Sequence, residues 1–347
     1  MTKNYSLQAL RAIAALLVVF AHSMTQINMA KDIGGNLGHI MKTFESFGGL
    51  GVYIFFIISG YIMSYTTNNK NGGTDAAFDF LKKRFLRVYP VYWICLTVLL
   101  IGWGMGIFLK SHDYSINKII FSYMLVPFAD VNSDSINPVL SQGWTLMYEV
   151  FFYLTFSFLL FFHVNSWKKI FYLFLSYSLI YICSLTQIVA FDAFNIFFQK
   201  GSFFLFIVGM IIFELETKAK KMMSELRVYL FFVFLSLLMT FFAFISAFNI
   251  HENLIMYPLA VIVFLLFNTH NINNKYLNLL GDASYSIYLT HGFLVMLFGN
   301  IIKRFDFPFL YVFISAIIPF CCSLIVGVYF YRYVELKVIY KSKLIFN

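Results

Sequence analysis

Arg11 and His22 stand eleven residues apart in an otherwise apolar run, L-Q-A-L-R-A-I-A-A-L-L-V-V-F-A-H-S. On an α-helix that spacing is about three turns, so both side chains fall on nearly one face, roughly 16 Å apart along the axis. An ionisable side chain inside a bilayer costs at least a few kcal/mol and marks either function or a contact within a helix bundle. The pair therefore draws a polar stripe through most of a membrane span. The structural alternatives are an arginine that snorkels to the headgroups and a histidine satisfied by neighbouring backbone.

Two further clusters carry charge. In F-L-K-K-R-F-L-R-V-Y-P, Arg84 and Arg87 are three apart and share a helix face, with Lys83 four residues before Arg87. Planar guanidinium groups suit phosphate oxygens; the alternative is an anchor on anionic lipid. In S-Q-G-W-T-L-M-Y-E-V-F-F-Y, Glu149 precedes a long apolar run. It is expected one to two turns below the outer surface, near the depth of His22. A carboxylate beside a histidine orients the imidazole and stabilises its protonated form, which is a general-base arrangement. The alternative is a helix-start carboxylate favoured by the macrodipole. His291, in S-Y-S-I-Y-L-T-H-G, lies within a late apolar run and reads as a packing or gating group before a catalyst. Tyr53, Ser59 and Tyr61 read as bundle contacts. The remaining histidines spell no metal site, and no G-x-S-x-G, H-E-x-x-H or P-loop occurs.

The elements that must position these residues are membrane helices. Of 347 residues, 61% are hydrophobic and 12% charged, with 45 Phe, whereas soluble domains carry about 25% charged residues. That apolar excess has to face lipid. Apolar runs near the required length of about 20 residues fall at 6–25, 48–66, 89–109, 144–163, 169–190, 199–215, 228–248, 254–269, 284–302 and 309–332. The expected fold is all-α, a polytopic bundle of about ten transmembrane helices. The shorter apolar stretch 115–128, which contains Pro127, reads as interfacial or re-entrant. Most of the 25 Lys and Arg fall in alternate loops and at both termini, which puts both termini in the cytoplasm. The net charge of +9 thus reports topology rather than nucleic acid as a partner. Arg11 interrupts the signal-like N-terminus, so the first helix is expected to remain uncleaved. Cys95, Cys183, Cys321 and Cys322 lie in apolar runs without zinc or redox spacing and read as small hydrophobes. Residues 1–347 read as one membrane domain.

Together these motifs resemble acyltransferase family 3, the membrane O-acyltransferases of cell-surface polysaccharides. R-A-I-A-A-L-L-V-V-F-A-H is similar to the family's Arg-x10-His signature, and G-V-Y-I-F-F-I-I-S-G-Y to its second-helix element. R-F-L-R is similar to its R-x-x-R, W-T-L-M-Y-E-V-F-F-Y to its Trp…Glu element, and L-G-D-A-S-Y-S-I-Y-L-T-H to a late-helix element. The resemblance spans about residues 5–335. It implies transfer of an acyl group, most commonly acetyl, from cytoplasmic acyl-CoA to a hydroxyl of a lipid-linked or surface glycan such as O-antigen. Acetyl-CoA would be a co-substrate, with no bound cofactor or metal, and the site would be in the bacterial inner membrane, among its lipids. It implies His22 as catalytic base with Glu149 as its partner, and Arg11, Arg84 and Arg87 as ligands of the acyl donor. Tyr61, Trp144 and His291 are secondary candidates. Many relatives carry a fused soluble esterase-like domain; this chain stops at Asn347, as expected of the stand-alone type. The rival reading is a polysaccharide or lipid transporter of the inner membrane without transferase activity.

Overall fold

A computed structural model describes the chain apart from residues 1–3, 32–34, 69–71, 110–111, 131–134, 226–232, 234–252, 269–271, 305–308 and 347. Among the described residues the protein is helical, with no β-strand. The expected span at 228–248 lies almost entirely outside them. The helices are α1 (Tyr5–Lys31), α2 (Gly35–Thr67), α3 (Thr74–Gly104), α4 (Ile116–Met124), α5 (Gly143–Phe161), α6 (Ser166–Thr186), α7 (Asp192–Gln199) and α8 (Phe204–Glu225). They continue with α9 (Asn253–Asn268), α10 (Lys275–Asp282), α11 (Ser284–Ile302), α12 (Phe309–Phe330), a π-turn (Tyr331–Glu335) and α13 (Leu336–Phe346). Seven stretches among the described residues are long and apolar enough to cross a membrane: Tyr5–Met29, Phe44–Thr67, Thr74–Gly104, Gly143–Phe161, Ser166–Thr186, Ser284–Ile302 and Ser315–Leu344. Ile255–Asn268 is a shorter apolar helix.

The Phe-rich composition is explained on α6. Ile170, Leu173, Tyr177 and Ser184 are buried, while Phe171, Phe174, Leu175, Leu179 and Ile182 on the other side are exposed. A soluble helix would carry polar residues there; here both sides are apolar, one for protein and one for lipid.

The chain divides into two compact units, the first Met1–Ile58 with Leu215–Val334, the second Ser59–Glu214 with Glu335–Asn347. In the first, Asn4 Oδ1 accepts from the Leu7 amide at 3.2 Å and caps α1. Small residues then let the helices close up. Ala15 and Val19 of α1 share a buried cluster with Ala283 and Ile287, the latter one turn into α11. A Cβ on Gly281 would lie 2.1 Å from the Gln8 carbonyl oxygen, and one on Gly299 2.4 Å from Gln26 Nε2. His22 meets His291 and Gln26 meets Gly299, so position advances together along both helices and α1 and α11 run parallel.

In the second unit, α3 begins at Thr74, fifteen residues before the apolar run that announces it. Arg84 and Arg87 are therefore inside a helix and not in a loop. The extension is amphipathic: Ala77 and Phe80 are buried, while Lys82 and Lys83 are exposed and Lys83 pairs with Asp79 at 2.7 Å. The stretch after α3 folds back against that helix at mid-length. Tyr89, Tyr92 and Trp93 donate to the carbonyls of Met124, Ser122 and Tyr123 at 3.0, 2.9 and 2.9 Å. These side chains satisfy carbonyls that the last turn of α4 leaves open. Lys118, 3% exposed, donates from Nζ to the carbonyls of Phe128 at 2.6 Å and Ser135 at 2.8 Å. Burial pushes its pKa below the ordinary lysine value, and Asp130 opposes that shift.

Candidate functional site

Each unit holds one group of the singled-out residues. In the first, Ala15, Val19 and His22 recur at i, i+4, i+7 on α1, and Ile287 and His291 at i, i+4 on α11. The stripes that build the apolar core thus also present two imidazoles to each other. His22 Nδ1 and His291 Nε2 are 2.9 Å apart, with ring centroids at 5.0 Å and planes 19° apart. The rings are nearly coplanar and meet edge to edge, which places an N–H and a lone pair in line. His291 is fully buried at 0% exposure, and its Nδ1 lies 3.2 Å from the Ile287 carbonyl one turn back. His22 by contrast is exposed, although protein surrounds it on most sides. Its Nε2 has no partner among the described residues. Arg11, on the same helix, is half-buried. Within its unit the structure gives His22 a partner, His291, that spacing along the chain did not announce.

In the second unit, the buried stripe of α3 runs Ala77, Phe80, Val88, Val91, Cys95, Leu99 and Gly102. Arg84 fills the one gap in that three-and-four spacing, so a guanidinium occupies a core position. It lies 5.3 Å from the Phe80 ring centre and 5.6 Å from that of Tyr153, where cation–π attraction partly replaces lost hydration. Its Nε is buried without a hydrogen-bond partner. Glu149 is half-buried on α5, and its Oε1 accepts from the Tyr153 hydroxyl one turn on and from Ser59 Oγ at 3.2 Å. Glu149 and Arg87 both act electrostatically on Arg84. Arg87 itself is exposed. The arrangement is a cation and a carboxylate joined through one tyrosine, with a second cation at the rim. Arg84 and Tyr153 also border an apolar cavity of about 500 Å³ lined by Val88, Tyr89, Trp93 and Leu154.

The secondary candidates Tyr61 and Trp144 belong to the same unit but to other contacts. Tyr61 is buried and packs edge-on against Phe213 at 5.4 Å. Trp144 is half-buried beneath Lys200, whose Nζ lies 5.0 Å above its ring. Tyr153 escaped the sequence reading. Its signal was present, since it stands four residues after Glu149 and so on the same helix face.

The sequence of residues 4–329 matches the acyltransferase-domain model of acyltransferase family 3. Exopolysaccharide production protein ExoZ of Rhizobium meliloti (strain 1021) is 32% identical over 257 residues, 72% of this chain and 77% of that protein. An O-acetyl transferase of Shigella phage Sf6 is 32% identical over 162 residues, 44% of this chain and 45% of that protein. Acyltransferase MdmB of Streptomyces mycarofaciens is 29% identical over 157 residues, 44% of this chain and 38% of that protein. No solved structure matches. With the family model covering nearly the whole chain and seven described stretches long and apolar enough to cross a membrane, the protein belongs to acyltransferase family 3 and is a multi-pass membrane acyltransferase.

Proposed function

We propose that the protein moves an acetyl group from cytoplasmic acetyl-CoA to a hydroxyl of a lipid-linked or surface polysaccharide such as O-antigen, in the bacterial inner membrane with both termini cytoplasmic. The observation that carries this reading is an accessible imidazole, His22, held by a second imidazole inside an apolar span of an acyltransferase-family chain. The name of ExoZ supports a polysaccharide acceptor, and that of the phage protein an acetyl group.

In this mechanism His22 Nε2 takes the proton of the sugar hydroxyl as its oxygen attacks the thioester carbonyl. The tetrahedral intermediate then collapses, the C–S bond breaks, and the CoA thiolate recovers the proton from the imidazolium. A general base of this kind contributes about 10²–10⁴ in rate. Arg84 and Arg87 bind phosphates of CoA, and Arg11 stabilises the developing oxyanion. Glu149 keeps Arg84 in place through Tyr153. Tyr61 and Trp144 remain secondary candidates, Tyr61 as a further stabiliser of the developing negative charge.

Mass spectrometry of the host's surface polysaccharide tests this with wild type, His22→Ala and an empty vector. An acyl mass that appears with wild type and vanishes with His22→Ala, at equal protein in the membrane, supports the transfer and names the acyl group. If no wild-type-dependent acyl mass appears on any glycan, glycan or lipid transport becomes the better account.

A further inference from the structure

We infer that His291 is a positioning residue that locks His22 in the tautomer with its proton on Nδ1, leaving Nε2 as an unprotonated base. The inference rests on the transferase reading only for its consequence in catalysis; the tautomer itself follows from geometry. The Ile287 carbonyl has no proton to give, so across the 3.2 Å contact His291 Nδ1 must be the donor. A neutral imidazole carries one N–H, so His291 Nε2 is then an acceptor. The proton in the 2.9 Å contact between the rings therefore belongs to His22 Nδ1. His22 is an exposed residue, and its Nε2, without a partner among the described residues, holds the lone pair.

The opposite assignment would require a doubly protonated His291. That cation would be fully buried, and among the described residues its electrostatic neighbours are His22 and the carbonyls of Tyr288 and Ile287, none of them a carboxylate. A buried charge without a counter-ion costs several kcal/mol, so His291 stays neutral. When His22 Nε2 accepts a proton, the Nδ1–H bond to His291 becomes charge-assisted and shortens. His291 thereby does with a neutral ring what a carboxylate does beside a catalytic histidine: it holds the ring angle and the tautomer.

The test combines ¹⁵N magic-angle-spinning spectra of the histidine-labelled full chain in lipid bilayers with acyl-transfer kinetics. His22 is assigned as the signal pair missing from His22→Gln. In wild type it should show a protonated Nδ1 and a bare Nε2. His291→Gln keeps an acceptor near the position of Nε2 and should preserve both that pattern and most of kcat. His291→Asn keeps the donor toward Ile287 but has no acceptor in reach of His22. It should shift His22 toward the Nε2–H form favoured in water and lower kcat at least ~10-fold, with KM for acetyl-CoA unchanged. A wild-type His22 protonated on Nε2, or a tautomer unmoved by His291→Asn, overturns the inference even if His22-dependent acyl transfer is found. If instead the tautomer behaves as stated but wild type transfers no acyl group, the inference holds and the transferase reading fails.

Discussion

Glu149 acts electrostatically on the cation that Arg84 places in the α3 stripe, so replacing Glu149 with Gln should destabilise the second unit only while Arg84 is present. Gln keeps an oxygen to accept from Tyr153 and Ser59, the two hydrogen bonds that Glu149 Oε1 receives, so the substitution removes charge more than contacts. Breaking a fully buried ion pair by deleting one partner costs about 3–5 kcal/mol. Arg84 and Glu149 are both half-buried, and the tyrosine stands partly between them, so screening reduces the expected loss to about 1–2 kcal/mol. In an Arg84→Met background the side chain still fills the gap in the α3 stripe. The same Glu149→Gln change should then cost under ~0.5 kcal/mol, the range in which uncoupled changes add. Equilibrium unfolding of wild type, both single variants and the double variant in mixed micelles closes the cycle. An equal loss from Glu149→Gln in both backgrounds would refute the reasoning and assign Glu149 a role unrelated to Arg84.

Arg84→Lys keeps the charge but not the planar group over Phe80 and Tyr153; it should raise KM for the acyl donor about tenfold with a smaller effect on kcat, measured in membrane vesicles. Gly60→Ala would bring a Cβ to 1.9 Å from the Phe206 carbonyl oxygen, and overpacking of that kind costs about 1–3 kcal/mol or more; loss of the monodisperse peak in size-exclusion chromatography is the expected result. Lys118→Met leaves the carbonyls of Phe128 and Ser135 without their donor, a destabilisation of about 2–4 kcal/mol that thermal unfolding in detergent should register.

Much of this was legible in the sequence because lipid imposes a coarse rule: about 20 apolar residues make a span. That rule located the helices carrying His22, Glu149 and His291. It failed at α3, where hydropathy registers nothing until residue 89. The first turns there pack by a three-and-four pattern through Ala77 and Phe80, and the half-buried Arg84 interrupts the apolar signal at its most informative position. The partner of His22 was illegible for a different reason. His22 and His291 are 269 residues apart in sequence, and no spacing rule links them. Only the packing of Ala15 and Val19 with Ala283 and Ile287 brings the two rings into register. The hydrogen bonds of Lys118 were likewise invisible, since its acceptors, the carbonyls of Phe128 and Ser135, lie ten and seventeen residues on and no spacing rule joins them to it.

The central claim is that His22 is the base of an acyl transfer, and inside-out membrane vesicles carrying the native acceptor test it most directly. Vesicles with wild type or His22→Gln receive radiolabelled acetyl-CoA, and label is counted in the glycan fraction at equal amounts of folded protein. Transfer by wild type with a loss of about 100-fold or more in His22→Gln is the predicted result. Transfer by His22→Gln at the wild-type rate would contradict the account.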